Sequence, residues 1–433
     1  MLTAVRNAWA LLFGMLLLMI GNGLQGTVLG IRGDAEGFSG TVMGVIMSAY
    51  FIGFLGGTQA TPYLLRKVGH VRVFAALASL ISAAFILFGA LVDPVVWFLL
   101  RILVGFCISG VYVVAESWLN DSATNETRGQ TMSAYVTVMM VGIVLAQALL
   151  NFADPGGYTL FVIMSVMVSI SFAPILLSSS PVPMFETTRR MPLRELIDTS
   201  PLGCFAMLML GIIFACQFGM APVYAAGQGL SNFEISLFIG TIYVGAMICQ
   251  PPIGWISDRM DRRLLIAILC LTGAAACLIV PVSEGSFSAL IVAAFVMGAT
   301  SNPLYSLIVA YVNDYLAHED MASASAGLIA INGAGAMGAP FVVGYLMDEV
   351  GGDAFFLMIG LSFAAIVSYA LWRMTQRAAT PVDETGPMVL MSPVAGQVAV
   401  DAAWEAVIEQ AEADAEGASG DSASAPGLVP PAT

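Results

Sequence analysis

About twelve apolar stretches, most of them long enough to bridge a bilayer, leave this chain of 433 residues one general way to fold. A hydrocarbon core of ~30 Å takes about 20 helical residues at ~1.5 Å each, and backbone groups in lipid must be satisfied within their own segment. The windows run near 7–31, 40–65, 72–92, 95–119, 129–152, 157–178, 200–226, 233–256, 263–283, 287–315, 321–347 and 354–374. Only 10% of the residues are charged, against roughly 25% in soluble domains, which excludes a soluble globular protein. No leading segment reads as cleavable. The fold class is an all-α membrane protein with twelve transmembrane helices.

Twelve is even, so both termini lie on one side. Thirteen of the 15 basic residues fall at the N-terminus, in even-numbered connections or after the last span; Arg32 and Arg101 are the exceptions. The positive-inside rule then predicts cytoplasmic termini in a bacterial-type inner (plasma) membrane. From Ala378 to Thr433 the chain becomes rich in Ala, Pro, Gly, Ser and acids, with no Lys or Arg. That composition predicts a solvated, disordered tail with one short helix over about 401–416. The formal charge of −14 is largely this tail: removing its nine acids from the 29 leaves 20 against 15 basic residues, or −5 for the rest.

Six cysteines, Cys107, Cys204, Cys216, Cys249, Cys270 and Cys277, lie in apolar stretches without CxxC spacing and read as packing residues. His70 and His318 are the only histidines and fall in short polar connections, which argues against a metal or haem site. The expected cofactor list is empty, no Walker sequence supports ATP use, and nothing points to nucleic acid. An integral-membrane enzyme is disfavoured, because the spans hold no His cluster, paired carboxylates or activated nucleophile.

The chain repeats itself. Gln25, Ser39 and Gly53 match Gln217, Ser231 and Gly245 at an offset of 192, and Gly105, Tyr112, Asn120, Asp121 and Gly142 match Gly298, Tyr305, Asn313, Asp314 and Gly335 at 193. Six spans per half give both halves one topology, a parallel repeat about an axis along the membrane normal. The expected division is an N-terminal bundle over 1–178, a cytoplasmic linker over 179–199, a C-terminal bundle over 200–377 and the tail over 378–433.

Between spans 8 and 9, Gly254-Trp-Ile-Ser-Asp258-Arg259-Met-Asp-Arg262-Arg263 resembles the signature loop of the major facilitator superfamily, with Asp261 at its usual Gly position. The first-half counterpart keeps Arg66, Lys67 and Gly69 but has Pro62 and Arg66 in place of the signature's Gly and Asp. Arg101 to Gly105 fits part of that family's span-4 pattern, with Val104 in place of Gln. The segments Glu116-Ser-Trp-Leu-Asn, Asn302-Pro-Leu-Tyr305-Ser and Ser325-Ala-Gly-Leu, with V-G-H-V-R, resemble the YcaD-like branch. The resemblance covers about residues 7 to 375. It implies a major facilitator fold with a cavity lined mainly by spans 1, 4, 7 and 10.

Charge inside a bilayer costs roughly 2.5–3.5 kcal/mol at a helix centre, and span 4 carries Arg101 and Glu116. At ~100° per residue, Gly105, Tyr112 and Glu116 fall within about 60° of Arg101. The two charges stand about 22 Å apart along the helix, so each needs its own partner. Arg101 can meet an anionic substrate group or set a neighbour's proton affinity; snorkelling to the outer interface is the competing reading.

By the resemblance, Glu116 joins Arg66 and Lys67 in a charge cluster that closes the cytoplasmic face, with proton coupling or static structure as alternatives. Gly254, Asp258, Arg259 and Arg262 form the second-half counterpart of this gate. Candidate cavity residues are Asn22, Gln25, Arg101, Tyr112, Gln147, Gln217, Asn302 and Tyr305, against interhelical hydrogen bonding as the plainer role for each amide. Gly333-Ala-Gly335-Ala-Met-Gly338 spells a dinucleotide fingerprint without a preceding strand and reads as close helix packing. Gly142 followed by Ala146-Gln147 departs from the span-5 pattern of many drug antiporters.

The resulting expectation is a monomeric secondary transporter of a small molecule, working by alternating access, with proton symport, proton antiport and uniport all open. A non-transporting receptor or scaffold that retains the fold is the alternative. Sparse cavity charge favours a neutral or amphipathic substrate over a strongly ionic one.

Overall fold

The structure is a computed structural model that describes residues 2–122, 125–177, 191–283, 285–376, Gly386 and Met388. Most of the expected linker and the tail helix over 401–416 lie outside these residues. Among the described residues, twelve helices are long and apolar enough to cross a membrane. They are Ala8–Ala35, Gly40–Val68, His70–Ala90, Pro94–Asn120, Gln130–Phe152, Thr159–Leu176, Pro201–Gly227, Asn232–Ser257, Arg262–Val282, Phe287–Asn313, Ser323–Val350 and Ala354–Met374, here spans 1 to 12.

Local chemistry sets the ends. Ser39 and Ser231, matched in the repeat, are the N-caps of spans 2 and 8; each hydroxyl accepts a backbone N–H of the first turn, and Glu234 completes a capping box with Ser231. Asp261, in the signature loop's Gly position, caps span 9 by accepting from Arg263 N. Gly69 and Gly351, at φ 83° and 107°, end spans 2 and 11 in a conformation that other residues resist. Because Gly69 turns the chain so abruptly, span 3 begins at once. His70 is therefore not in a polar connection: it is the first residue of span 3 and is buried, its Nε2 2.9 Å from Ser117 Oγ and its ring edge-on to Trp118. His318 likewise opens the helix His318–Val350.

Packing repeats with an offset of six spans. In the first half span 1 packs on 5 and 6, span 2 on 4, and span 3 on 4 and 6; in the second, span 7 packs on 11 and 12, span 8 on 10, and span 9 on 10 and 12. Across the halves the main contacts are span 2 with 11, span 5 with 8, and span 1 with 7, again a symmetric set. Leu80 and Leu87 of span 3, Val162 and Val166 of span 6, Leu271 and Leu278 of span 9, and Leu357 and Leu361 of span 12 are exposed, as a lipid-facing outer layer requires.

The repeated glycines are the crossing points. A Cβ on Gly53 would fall far inside contact distance of the Ile102 carbonyl oxygen, and one on Gly105 would meet that of Tyr50; Gly245 against Phe295 and Gly298 against Ile242 repeat the arrangement between spans 8 and 10. Gly335 abuts the Leu208 carbonyl in the same way, which explains the middle of the fingerprint-like run, whereas Gly333 meets only the Leu55 side chain and Gly338 meets nothing. All six cysteines are free thiols; five are buried and Cys249 is half-buried.

Span 7 departs from a regular helix. Residues Cys216–Met220 form a π turn in which the Ala221 N–H reaches back to the Cys216 carbonyl. Pro222 supplies the cause: it has no N–H to return to Phe218, and its ring crowds the preceding turn, so the helix widens there. The turn carries Gln217 and Phe218 into the centre of the molecule.

Candidate functional site

Where the two halves face each other lies a cavity of about 150 Å³. All eight sequence-selected cavity residues line it: Asn22, Gln25, Arg101, Tyr112, Gln147, Gln217, Asn302 and Tyr305. The lining also includes Tyr50, Phe51 and Phe54 of span 2, Phe214 and Phe218 of span 7, Tyr243 of span 8 and Asn332 of span 11. Spans 2, 5, 8 and 11 therefore contribute alongside the expected 1, 4, 7 and 10.

Arg101 is 4% exposed, so it does not snorkel to an interface. Its Nη1 donates to Gln25 Oε1 at 2.8 Å, Nη2 lies against the Met47 sulfur, and the guanidinium sits 5.0 Å from the centre of the Tyr50 ring. Its neighbours in that arrangement are all uncharged. Across the cavity, Gln217 Oε1 accepts from Ser301 Oγ at 3.1 Å. Gln147 is held within its own half, accepting from Thr27 and donating to the Gly23 carbonyl. Tyr112 points its hydroxyl at the Met19 sulfur. Phe214, Phe218 and Tyr243 stack in a ladder, with successive centroids 5.4 and 5.7 Å apart and planes within 9°.

The expected first-half charge cluster is not assembled. Glu116 is fully buried and accepts from the Tyr135 hydroxyl at 3.4 Å, whereas Arg66 and Lys67 are exposed on the last turn of span 2 and form no ion pair with it. Gly69 acts as the helix stop described above.

The second-half cluster is assembled around Arg262, which is buried. It pairs with the Asp314 carboxylate, donates to the Ala310 carbonyl at 3.2 Å and lies 3.9 Å from Asp258. Burial pushes the Asp314 carboxyl above its ordinary value, with Arg262 opposing that shift. Arg259 instead turns away, its guanidinium 4.2 Å from the Trp255 ring and its Nη1 on the Trp255 carbonyl. Gly254 is buried one turn before Asp258.

Two tail residues correct the expectation of an entirely solvated tail. Arg262 donates to the Gly386 carbonyl, Met388 N donates to Asp258 Oδ1 at 2.7 Å, and the Met388 side chain is buried. The polar groups of the signature loop hold this segment, a partner that composition alone did not announce.

At the end of the molecule where span 1 joins span 2 and span 11 joins span 12, the halves are joined by hydrogen bonds. Asp348 of span 11 accepts from Gly40 N and Thr41 N, both at 2.7 Å, and from Thr41 Oγ1 at 2.6 Å. A carboxylate from one half thus caps the positive end of a helix from the other. Asn151, at the end of span 5, donates to Ser236 Oγ at 2.9 Å, so the symmetry-related span pair is also tied.

The description "Major Facilitator Superfamily" belongs to a family model that matches residues 11–231 and 203–411. The chain belongs to the major facilitator superfamily. Among its relatives is the "Uncharacterized MFS-type transporter YcaD" of Escherichia fergusonii, 25% identical over 383 residues, which cover 87% of this chain and 98% of the relative. A protein of the same name from Salmonella heidelberg is 25% identical over 389 residues, 88% and 99% of the two chains. Among solved structures, a mutant form of the nucleoside transporter NupG superposes with a TM-score of 0.72 at 13% identity, covering 84% of this chain and 99% of that one. A bacterial homolog of the human lysosomal transporter Spinster, inward-facing and unoccupied, gives 0.63 at 14% identity over 93% and 98%. These likenesses establish a major facilitator fold of twelve spans in a multi-pass membrane protein, within a transporter family.

Proposed function

We propose that this major facilitator protein is a secondary transporter that carries a small molecule through the central cavity by alternating access. The reading rests on one observation: a polar cavity lined from both halves, at an interface where the halves are tied by the symmetric contacts 2·11 and 5·8. Bundles 1–178 and 200–377 rock as units about it, joined by 179–199, and the protein works as a monomer. Both termini face the cytoplasm of a bacterial-type inner membrane, so the tied end is extracytoplasmic and the Arg262 cluster belongs to the cytoplasmic gate.

Cysteines at Asn151 and Ser236, in a background with the six native cysteines replaced, test the motion. Oxidative crosslinking is expected to stop flux in proteoliposomes, and reduction to restore it. Undiminished flux through the crosslinked protein would sink the alternating-access reading.

Glu116 is the proposed proton carrier. It is a buried carboxyl beside a tyrosine hydroxyl, on the span that also brings Arg101 and Tyr112 to the cavity. Glu116→Gln is expected to abolish proton-driven accumulation while substrate exchange persists. If accumulation survives in that variant, coupling resides elsewhere.

A further inference from the structure

The cavity holds one charge and an excess of donors. Arg101 is the only charged side chain among the described lining residues. A guanidinium buried without a counter-charge is costly, and its Coulomb field is poorly screened there. Its Nε has no protein acceptor, and the Nε2 groups of Gln25 and Gln217 are also buried without one. For Gln25 this orientation is forced: a guanidinium can only donate, so the amide oxygen must face Arg101 and the NH₂ must face away. Two unsatisfied donors therefore come from the first half and one from the second. Buried donors in native proteins nearly always find an acceptor.

The opposite wall has a different chemistry. Phe214, Phe218 and Tyr243 stack as a ladder from the second half, where a flat apolar body can lie against them. The volume of about 150 Å³ matches the size of cavity that accepts a benzene-sized guest.

We infer that the substrate is a small planar monocarboxylate, its carboxylate on Arg101 and the glutamine amides and its ring against the aromatic ladder. A carboxylate is acceptor-only and supplies both the missing charge and the missing acceptors. A dianion would bring a second charge with no partner, a cation would be repelled, and a neutral amide would leave the guanidinium uncompensated. Bound in this way, the molecule touches both halves at once, which is how a substrate biases the balance between two arrangements of the bundles.

The inference rests on the transport reading and deepens it. The test uses the full-length chain in proteoliposomes, with benzoate as the probe and benzamide, benzyl alcohol, benzylamine and hexanoate as comparators. Benzoate is expected to exchange, with benzamide and benzylamine competing at least about tenfold less well, and hexanoate falling between. Arg101→Gln is expected to weaken benzoate at least about tenfold and so abolish its preference over benzamide, while Arg101→Lys retains part of the preference for the acid. Monodisperse elution on detergent size exclusion, matching the unaltered chain, shows that the variant is folded.

Equal exchange of the neutral or cationic comparators, or wild-type benzoate exchange by Arg101→Gln, overturns the carboxylate assignment and leaves the transporter intact. If neither benzoate nor any comparator is exchanged although the Asn151/Ser236 crosslink still varies with conformational state, the assignment again falls alone. If that crosslink is also state-independent, the transport reading falls with it.

Discussion

Leucine at Gly298 is expected to leave almost no folded protein in the membrane, and leucine at Gly53 to do the same from the other half. At both positions an added Cβ would meet a backbone carbonyl oxygen of the crossing helix, not the movable end of a side chain. Overpacking costs about 1–3 kcal/mol where neighbours can repack, and more where they cannot. Here relief requires spans 8 and 10, or 2 and 4, to part along their length, which breaks the closest helix pair in each bundle. Helix association in lipid depends on such close packing of small residues, since water supplies no drive between helices there.

Folded, monodisperse yield on detergent size exclusion should fall at least about tenfold. Gly338→Leu is the control: nothing stands within 4 Å of its Cβ position, and its yield should match that of the unaltered chain. Normal yield for both Gly298→Leu and Gly53→Leu would show that the crossings tolerate separation.

Much of this architecture was readable because the chain carries its own comparison. Positions that match across the repeat proved to have stringent local demands. Ser39 and Ser231 cap helices, Gly53, Gly105, Gly245 and Gly298 sit where only hydrogen fits, and Gln25, Tyr112, Gln217 and Tyr305 line the cavity. Arg101 stood out because charge in a span is costly. Tyr50, Tyr243 and Asn332 were missed for a physical reason. An aromatic or amide in an apolar helix looks the same whether it packs, faces lipid or lines a cavity, and only the rotation of spans 2, 8 and 11 in the assembled bundles decides. The same rotation leaves Arg66 and Lys67 exposed and Glu116 turned toward Tyr135. Pro222 was visible in the sequence, but proline permits either a kink or a widened turn, and tertiary packing selected the π turn that places Gln217.

Leucine at Gly44 should produce the opposite phenotype to leucine at Gly298: a well-folded protein that does not transport. Gly44 faces the other half, and its Cβ would strike the carbonyl of Pro340 in span 11. One turn away Gly344 abuts the Gly40 carbonyl, and a further turn along Asp348 caps span 2, so three successive contacts on span 11 form one seam. Within the first bundle the added side chain disturbs little, and when the halves separate it has free space. The cost therefore falls on one conformation only.

A penalty of about 3 kcal/mol on closing this seam shifts the balance between open and closed by more than about a hundredfold, which is enough to stop a cycle that must pass through closure. Exchange should fall by about that factor, with size-exclusion behaviour unchanged. A cysteine introduced at Tyr243 should become readily labelled by a membrane-impermeant maleimide from the side where span 1 joins span 2. Gly44→Ala should fall between the two, because a methyl group asks the helices to part less. Normal exchange by Gly44→Leu would mean that spans 2 and 11 need not meet during transport, and the seam would then be a resting contact with no part in the cycle.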